Sequence, residues 1–194
     1  MKLVFATHNK NKAIEIQSLM PEGIEVLTLD EIGCTEDIPE TADTLEGNAK
    51  IKADFVYETY GYNCFADDTG LEVEALNNEP GVLSARYAGS AKDPEQNMQL
   101  LLENLSRHNN RSAQFRTAIA LRLNGETHLF EGIVSGTITA EKRGNEGFGY
   151  DPIFQPIGSQ RTFAEMSLTE KNGMSHRARA LEKMLDFLSE KITK

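Results

Sequence analysis

Residues 115–130 read Phe-Arg-Thr-Ala-Ile-Ala-Leu-Arg-Leu-Asn-Gly-Glu-Thr-His-Leu-Phe, and this stretch decides the fold class. Phe115, Thr117, Ile119, Leu121 and Leu123 recur at every second position, the period of an extended strand. Asn124-Gly125 is a two-residue turn signal, and the chain returns through Leu129-Phe130. Strands joined so tightly are antiparallel, which excludes a purely parallel sheet. Upstream the pattern differs. Lys2 to Ala6 is a short apolar strand, Thr7-His8-Asn9 a polar turn, and Ala13, Ile16, Leu19 and Met20 form one helical face that Pro21 stops. Glu25 to Leu29 reads as a second strand, followed by an acidic loop over 30–43. A helix from about Thr44 to Tyr60 carries the stripe Leu45, Ala49, Ala53, Val56 and Tyr60, and Gly61 ends it. Early strand–helix alternation with a later hairpin predicts a mixed sheet with helices packed around it, in the α/β class.

The remaining elements follow from punctuation. Asn63 to Ala66 is a strand running into Asp67-Asp68-Thr69-Gly70, Leu71 to Leu76 a further strand, and residues 77–81 a turn by composition. Asp93-Pro94 is a cap with proline at the first helical position, opening a helix to about His108 that buries Met98, Leu101, Leu102 and Leu105. Residues 133–140 extend the sheet, a glycine-rich loop spans 144–149, and a last helix from near Ser175 buries Leu181, Leu185, Leu188 and Ile192.

The 194 residues suit one domain, or two lobes sharing a core. Thirty Asp and Glu against 20 Lys and Arg give a net charge of −10. Such a chain is a poor holder of a long nucleic-acid backbone, which needs many Lys and Arg contacts. A small anion in a local basic pocket, or a divalent metal on carboxylates, remains compatible with it. No apolar run reaches the roughly 20 residues of a membrane span. The opening segment turns polar at Thr7, without the apolar stretch of an export signal, so a cytoplasmic setting is expected. Cys34 and Cys64 lack metal-binding or redox spacing and are expected as free thiols.

Five groups of residues carry chemistry. Thr7-His8-Asn9-Lys10-Asn11-Lys12 sits where a strand meets a helix N-terminus, a place suited to phosphate, although it is equally an ordinary polar turn. Asp67-Asp68-Thr69 lies at the end of a buried strand. Side-chain alternation sends Asp67 and Asp68 to opposite faces, so one of them is expected to meet a metal, and a capped turn is the plainer alternative. Lys52 and Asn48 share one side of their helix, and the acidic loop offers Glu40 as a further ligand. Gly147-Phe148-Gly149-Tyr150-Asp151 places a flat aromatic face between glycines, as for a base or for a tight turn. Lys171 and Ser175-His176-Arg177 supply donors near the start of the last helix.

Taken together, these blocks are what makes the sequence resemble the inosine triphosphate pyrophosphatase family, the RdgB-like or Ham-type nucleoside triphosphate pyrophosphatases. The match runs in order through Thr7–Lys12, Glu40-Thr41, Glu46-Gly47-Asn48-Ala49, Lys52-Ala53 and Ala66–Leu71. It continues through Pro80-Gly81, Ser84–Tyr87, Gly147–Phe154, Lys171 and Ser175–Ala178. His8 replaces a common glycine, and Thr69 a common serine whose hydroxyl it keeps.

The resemblance implies an elongated, two-lobed α/β domain over 1–194 with a central mixed sheet and a nucleotide cleft between the lobes. It also implies a homodimer. The implied reaction converts ITP, dITP or XTP to the monophosphate and pyrophosphate with Mg²⁺. Asp68 would accept the proton of the attacking water, and Glu40 and Asp68 would hold the metal. Asp67 would be a supporting ligand or an orienting group. Lys12, Lys52 and Lys171 would hold the triphosphate, with Thr7, His8, Asn9, Lys10, Asn11 and Thr69 around it. Phe148, with Gly149 and Tyr150, would take the base, and Asp151, His176 and Arg177 would read its edge. A phosphoryl transferase, a nucleotide sensor and a pyrophosphatase for modified pyrimidines are the competing functions.

Overall fold

A computed structural model describes residues 1–192; the side chain of Ile192 lies outside the described residues. In chain order the main elements are β1 (Lys2–Phe5), α1 (Lys10–Leu19), β2 (Glu25–Leu27), α2 (Leu45–Tyr60), β3 (Cys64–Val73) and β4 (Glu79–Gly81). They continue with α3 (Pro94–Leu105), β5 (Ser112–Leu123), β6 (Glu126–Ile138), β7 (Phe154–Pro156), α4 (Leu168–Asn172) and α5 (His176–Ile192). The strands form one sheet in the order β2-β1-β3-β5-β6-β7, with β4 paired to β3. β1 runs parallel to β2 and β3, while β3–β4 and β6–β7 are antiparallel, so the sheet is mixed as expected.

The local signals act as read. Asn124 and Gly125 take φ of 50° and 88° and close the β5–β6 hairpin, the positive pair that a type I′ turn requires. Asp93 caps α3 by accepting from the amides of Glu95 and Gln96, with Pro94 next to it. Two readings change. Residues 64–73 are one continuous strand rather than two, and 74–76 form a short 3₁₀ turn. The Asp-Asp-Thr-Gly segment looks like a loop by composition, but β3 lies between β1 and β5, and ladder pairing overrides that preference. Gly70 is there for room: a Cβ would stand 2.7 Å from the carbonyl oxygen of Gly81. The second change is Glu79–Gly81, read as turn, which pairs with Leu71–Val73 as β4.

The chain divides into two compact units. One comprises Met1–Asp68, Thr117–Gly132 and the chain from Arg177 on; the other comprises Thr69–Arg116 and Ile133–His176. The first has a core on each side of its part of the sheet. Leu3, Phe5, Phe65, Ile119 and Leu121 pack with Ile16 of α1 and with Leu181, Met184 and Leu188 of α5. Val4, Ala6, Cys64, Ala66 and Ala120 pack with Ala49, Ala53 and Val56 of α2. Consecutive residues of β1 thus enter opposite cores, the two-residue period of a strand. The same arrangement buries Thr117 to Leu121 on both faces, where alternation in the sequence suggests one. The second unit has its own core, in which Leu71, Val73, Met98, Leu101, Leu105, Phe115, Phe154 and Phe163 meet. Both cysteines are buried free thiols, and burial pushes Cys64 up to about 12. Among the described residues no helix is long and apolar enough to cross a membrane.

Candidate active site

The centre of the first unit is the pair of aspartates on β3. Phe65 belongs to the core shared with α1 and α5, and Ala66 to the core shared with α2. Alternation then sends Asp67 to the α1–α5 face and Asp68 to the α2 face. Their partners follow that division.

On the α1–α5 face, Lys12 Nζ lies 2.9 Å from Asp67 Oδ1, and Arg177 Nε donates to Asp67 Oδ2 at 3.0 Å. Arg177 Nη1 also pairs with Glu15 of α1. Asp67 and Arg177 are each 1% exposed. Burial alone would raise the Asp67 carboxyl, but the nearby charges of Lys12, Arg177 and Lys52 outweigh it and hold the group well below the usual carboxylate range. Lys12 moves the other way for an ammonium: burial lowers it, and the Asp67 charge only partly restores it. Arg177 was expected at a base edge; two of its nitrogens are given to two buried acids.

On the α2 face the balance differs. Asn48 Nδ2 donates to Asp68 Oδ2 at 3.0 Å, and Lys52 Nζ stands 4.0 Å from Asp68 Oδ1. The same ammonium is 2.5 Å from Glu40 Oε1. Burial raises the Asp68 carboxyl, and Lys52 and Lys12 do not fully offset it. Lys52 is raised despite burial, because Asp68, Glu40 and Asp67 surround it with negative charge. Two neighbouring aspartates are therefore shifted in opposite directions, the mark of groups with different tasks.

Glu40 and Asp68, the expected metal ligands, are both drawn to one cation. Among the described residues no group of three or more His, Cys, Asp or Glu converges. A pair of carboxylates sharing one cation fits Mg²⁺, which commonly uses one or two carboxylates together with substrate phosphate oxygens.

The strand–helix turn is built as a cap. Asn9 Oδ1 accepts from the amides of Asn11 and Lys12 at 3.0 and 3.2 Å, and Thr7 Oγ1 accepts from the Asn9 amide at 3.1 Å. His8 Nε2 lies 2.9 Å from the Glu36 carbonyl oxygen. Lys10 and Asn11 are exposed.

The second unit gathers the aromatic set. Asp151 Oδ2 accepts from the Phe148 amide at 2.9 Å and from Lys171 Nζ at 2.6 Å. Lys171 Nζ stands 4.9 Å from the centre of the half-buried Phe148 ring. The sequence put Lys171 with the triphosphate; the structure brings it to Phe148 and Asp151. His176 stacks on Phe115 with centroids 4.6 Å apart and planes 18° apart. Tyr150 is buried and its hydroxyl donates to the Ser84 carbonyl at 2.9 Å. Thr69 sits half-buried on β3. Sequence reasoning missed Glu15. Its signal was available, since Glu15 follows Lys12 by three residues and shares its helix face.

Known proteins resemble this chain over nearly its whole length. A model of the Ham1 family matches residues 3–187. A protein of Flavobacterium psychrophilum named dITP/XTP pyrophosphatase is 59% identical over 96% of this chain and 98% of its own. One of the same name from Bacillus subtilis is 44% identical, covering 95% and 96%. Among solved structures, a HAM1 protein from Coxiella burnetii is 40% identical over 98% of this chain and 99% of its own, with a TM-score of 0.90. The Ham1 protein of Staphylococcus aureus is 38% identical over 98% and 100%, with a TM-score of 0.89.

Proposed function

This chain belongs to the Ham1 family, and we propose that it hydrolyses dITP, ITP and XTP to the monophosphate and pyrophosphate, clearing deaminated purines from the nucleotide pool. The observation that carries the reading is the setting of Asp68. An unperturbed aspartate, near about 3.9, is a weak base toward water at neutral pH. Burial raises this one above the ordinary value, and Asn48 fixes one of its oxygens. In the proposed step, water adds its oxygen to phosphorus and Asp68 takes its proton. The anhydride bond between the α- and β-phosphates breaks, and pyrophosphate leaves. Lys52 and Lys12 attract the triphosphate, with Thr7–Asn11 and Thr69 beside it. Glu40 and Asp68 would hold Mg²⁺, which would neutralise charge that builds on the phosphates.

For the base, Phe148 offers a stacking face with Lys171 beside it, and Lys171, His176, Gly149 and Tyr150 would supply donors. Donors suit the 6-carbonyl of hypoxanthine and xanthine and oppose the 6-amine of adenine. Asp151 holds Lys171 and the Phe148 amide in place. Arg177 acts through Asp67 rather than on the base. We further propose one catalytic domain over 1–194, working as a homodimer in the cytoplasm. The test is a panel of dITP, ITP, XTP, GTP and ATP with Mg²⁺, scored for pyrophosphate against orthophosphate. The expected result is pyrophosphate from the first three, abolished by EDTA and restored by Mg²⁺. Orthophosphate as the first product, or full turnover in EDTA, overturns the reading.

A further inference from the structure

We propose that Gly47 and Asn48, at the start of α2, form a positioning pair that sets where Glu40 and Asp68 stand relative to each other. The proposal rests on the roles given above to Glu40 and Asp68. Asn48 is 1% exposed, and both ends of its amide are engaged. Nδ2 donates to Asp68 Oδ2 at 3.0 Å, and Oδ1 accepts from the backbone amide of Ala42 at 2.9 Å. Ala42 lies two residues after Glu40, so one side chain ties the Glu40 loop to the aspartate.

The bond also sets the rotation of the Asp68 carboxylate. With Oδ2 turned to Asn48, Oδ1 is the oxygen facing Lys52 at 4.0 Å. A second feature works on the same loop. A Cβ at Gly47 would stand 2.5 Å from the Ala42 Cβ and 3.0 Å from Thr44 Oγ1. The missing side chain therefore lets the loop lie against the first turn of α2, where Asn48 can reach it. Asn48 and Lys52 are one helical turn apart, so the same helix delivers the amide to Asp68 and the ammonium to Glu40.

A role in packing alone would make activity follow stability. Positioning makes it follow the bond to Asp68. The experiment uses the whole protein with two readouts: hydrogen exchange of the Ala42 amide in metal-free enzyme, and kcat and KM for dITP. In Asn48→Ala, Ala42 exchange should quicken about tenfold, as expected for one lost hydrogen bond. Its kcat should fall about 10- to 100-fold, the scale of a misplaced reacting group. Its KM should stay within about threefold, because the substrate itself is not touched. Asn48→Asp keeps an acceptor for Ala42 and replaces the amide donor to Asp68 with a second carboxyl that cannot hold the same bond while both are ionised. It should leave Ala42 protected and still lose as much kcat as Asn48→Ala. Gly47→Ala should speed Ala42 exchange and lower kcat less than Asn48→Ala does.

Wild-type kcat in Asn48→Asp overturns the proposal. So does unchanged Ala42 exchange in Asn48→Ala, or a loss confined to KM. Should Asn48→Ala not fold, the nearly isosteric Asn48→Asp decides. If wild-type enzyme releases no pyrophosphate from dITP, the functional reading fails, and the exchange of Ala42 still judges the tie by itself.

Discussion

Asp67 and Asp68 are neighbours on one strand, yet the regions they enter treat them in opposite ways. On the α1–α5 face, Asp67 meets two buried cations and is held charged. On the α2 face, Asp68 meets an amide at 3.0 Å and an ammonium at 4.0 Å that Glu40 shares. The first arrangement is closed: each charge has a partner within hydrogen-bonding distance. The second is open, with two carboxylates competing for one cation. Breaking a closed pair strands a buried charge, whereas a carboxylate whose proton affinity burial raises is suited to chemistry. One strand can hold both because its side chains alternate.

Asp67→Asn probes the closed side and has the largest expected effect on the molecule. It leaves Lys12 and Arg177 buried without their shared carboxylate, at about 3–5 kcal/mol of stability. Urea unfolding measures this, and a loss comparable to an exposed substitution would break the contrast. The sign of its pH dependence follows. A carboxyl depressed in the folded state contributes stability above its unfolded value, near about 3.9, and that stability is lost as pH falls. The wild type should therefore weaken in acid more steeply than Asp67→Asn.

Asp68→Asn probes the open side. Here kcat should drop about 10²-fold or more. Stability should hold or rise, because a carboxyl raised in the folded state loses its stabilising contribution as pH climbs through the folded value. Unfolding of both variants at neutral pH checks this, and equal destabilisation would erase the distinction between the two faces.

A smaller effect separates the charged set from the aromatic set of the second unit. Phe148→Ala should raise KM for dITP by about two- to tenfold, the scale of one lost stacking contact, with little change in kcat. Steady-state kinetics on dITP and XTP test it. A loss in kcat instead would move Phe148 out of base binding.

Much of this was legible in the residues. Alternation in β3 foretold that the aspartates part company, and the early strand–helix pattern with the Asn124-Gly125 hairpin foretold a mixed sheet. Glu40 reads in the sequence as a metal ligand and Lys52 as a holder of phosphate; that the two meet each other, at 2.5 Å, was not legible. Other features were hidden for physical reasons. The break placed after Ala66 came from turn-like composition, and pairing of β3 with its neighbours removed it. Lys171 was grouped with the other lysines because charge alone does not say which anion it faces; Asp151, twenty residues earlier, supplies that answer. Arg177 looked like a donor at a helix start, and its partners Glu15 and Asp67 lie far away in the chain.

By itself the sequence determined the long helices, the hairpin, the class of sheet and the set of chemical groups, because strand and helix periods, turn residues and caps are local properties. The tertiary structure alone decided which charge meets which. It turned Arg177 toward Asp67, set Lys171 over Phe148 and gave Asn48 both Asp68 and Ala42. Electrostatic pairing depends on distance in space and on burial, and both come from packing residues distant in sequence. Thus two adjacent aspartates, indistinguishable by composition, acquired opposite shifts only when the two faces of β3 were covered by different helices.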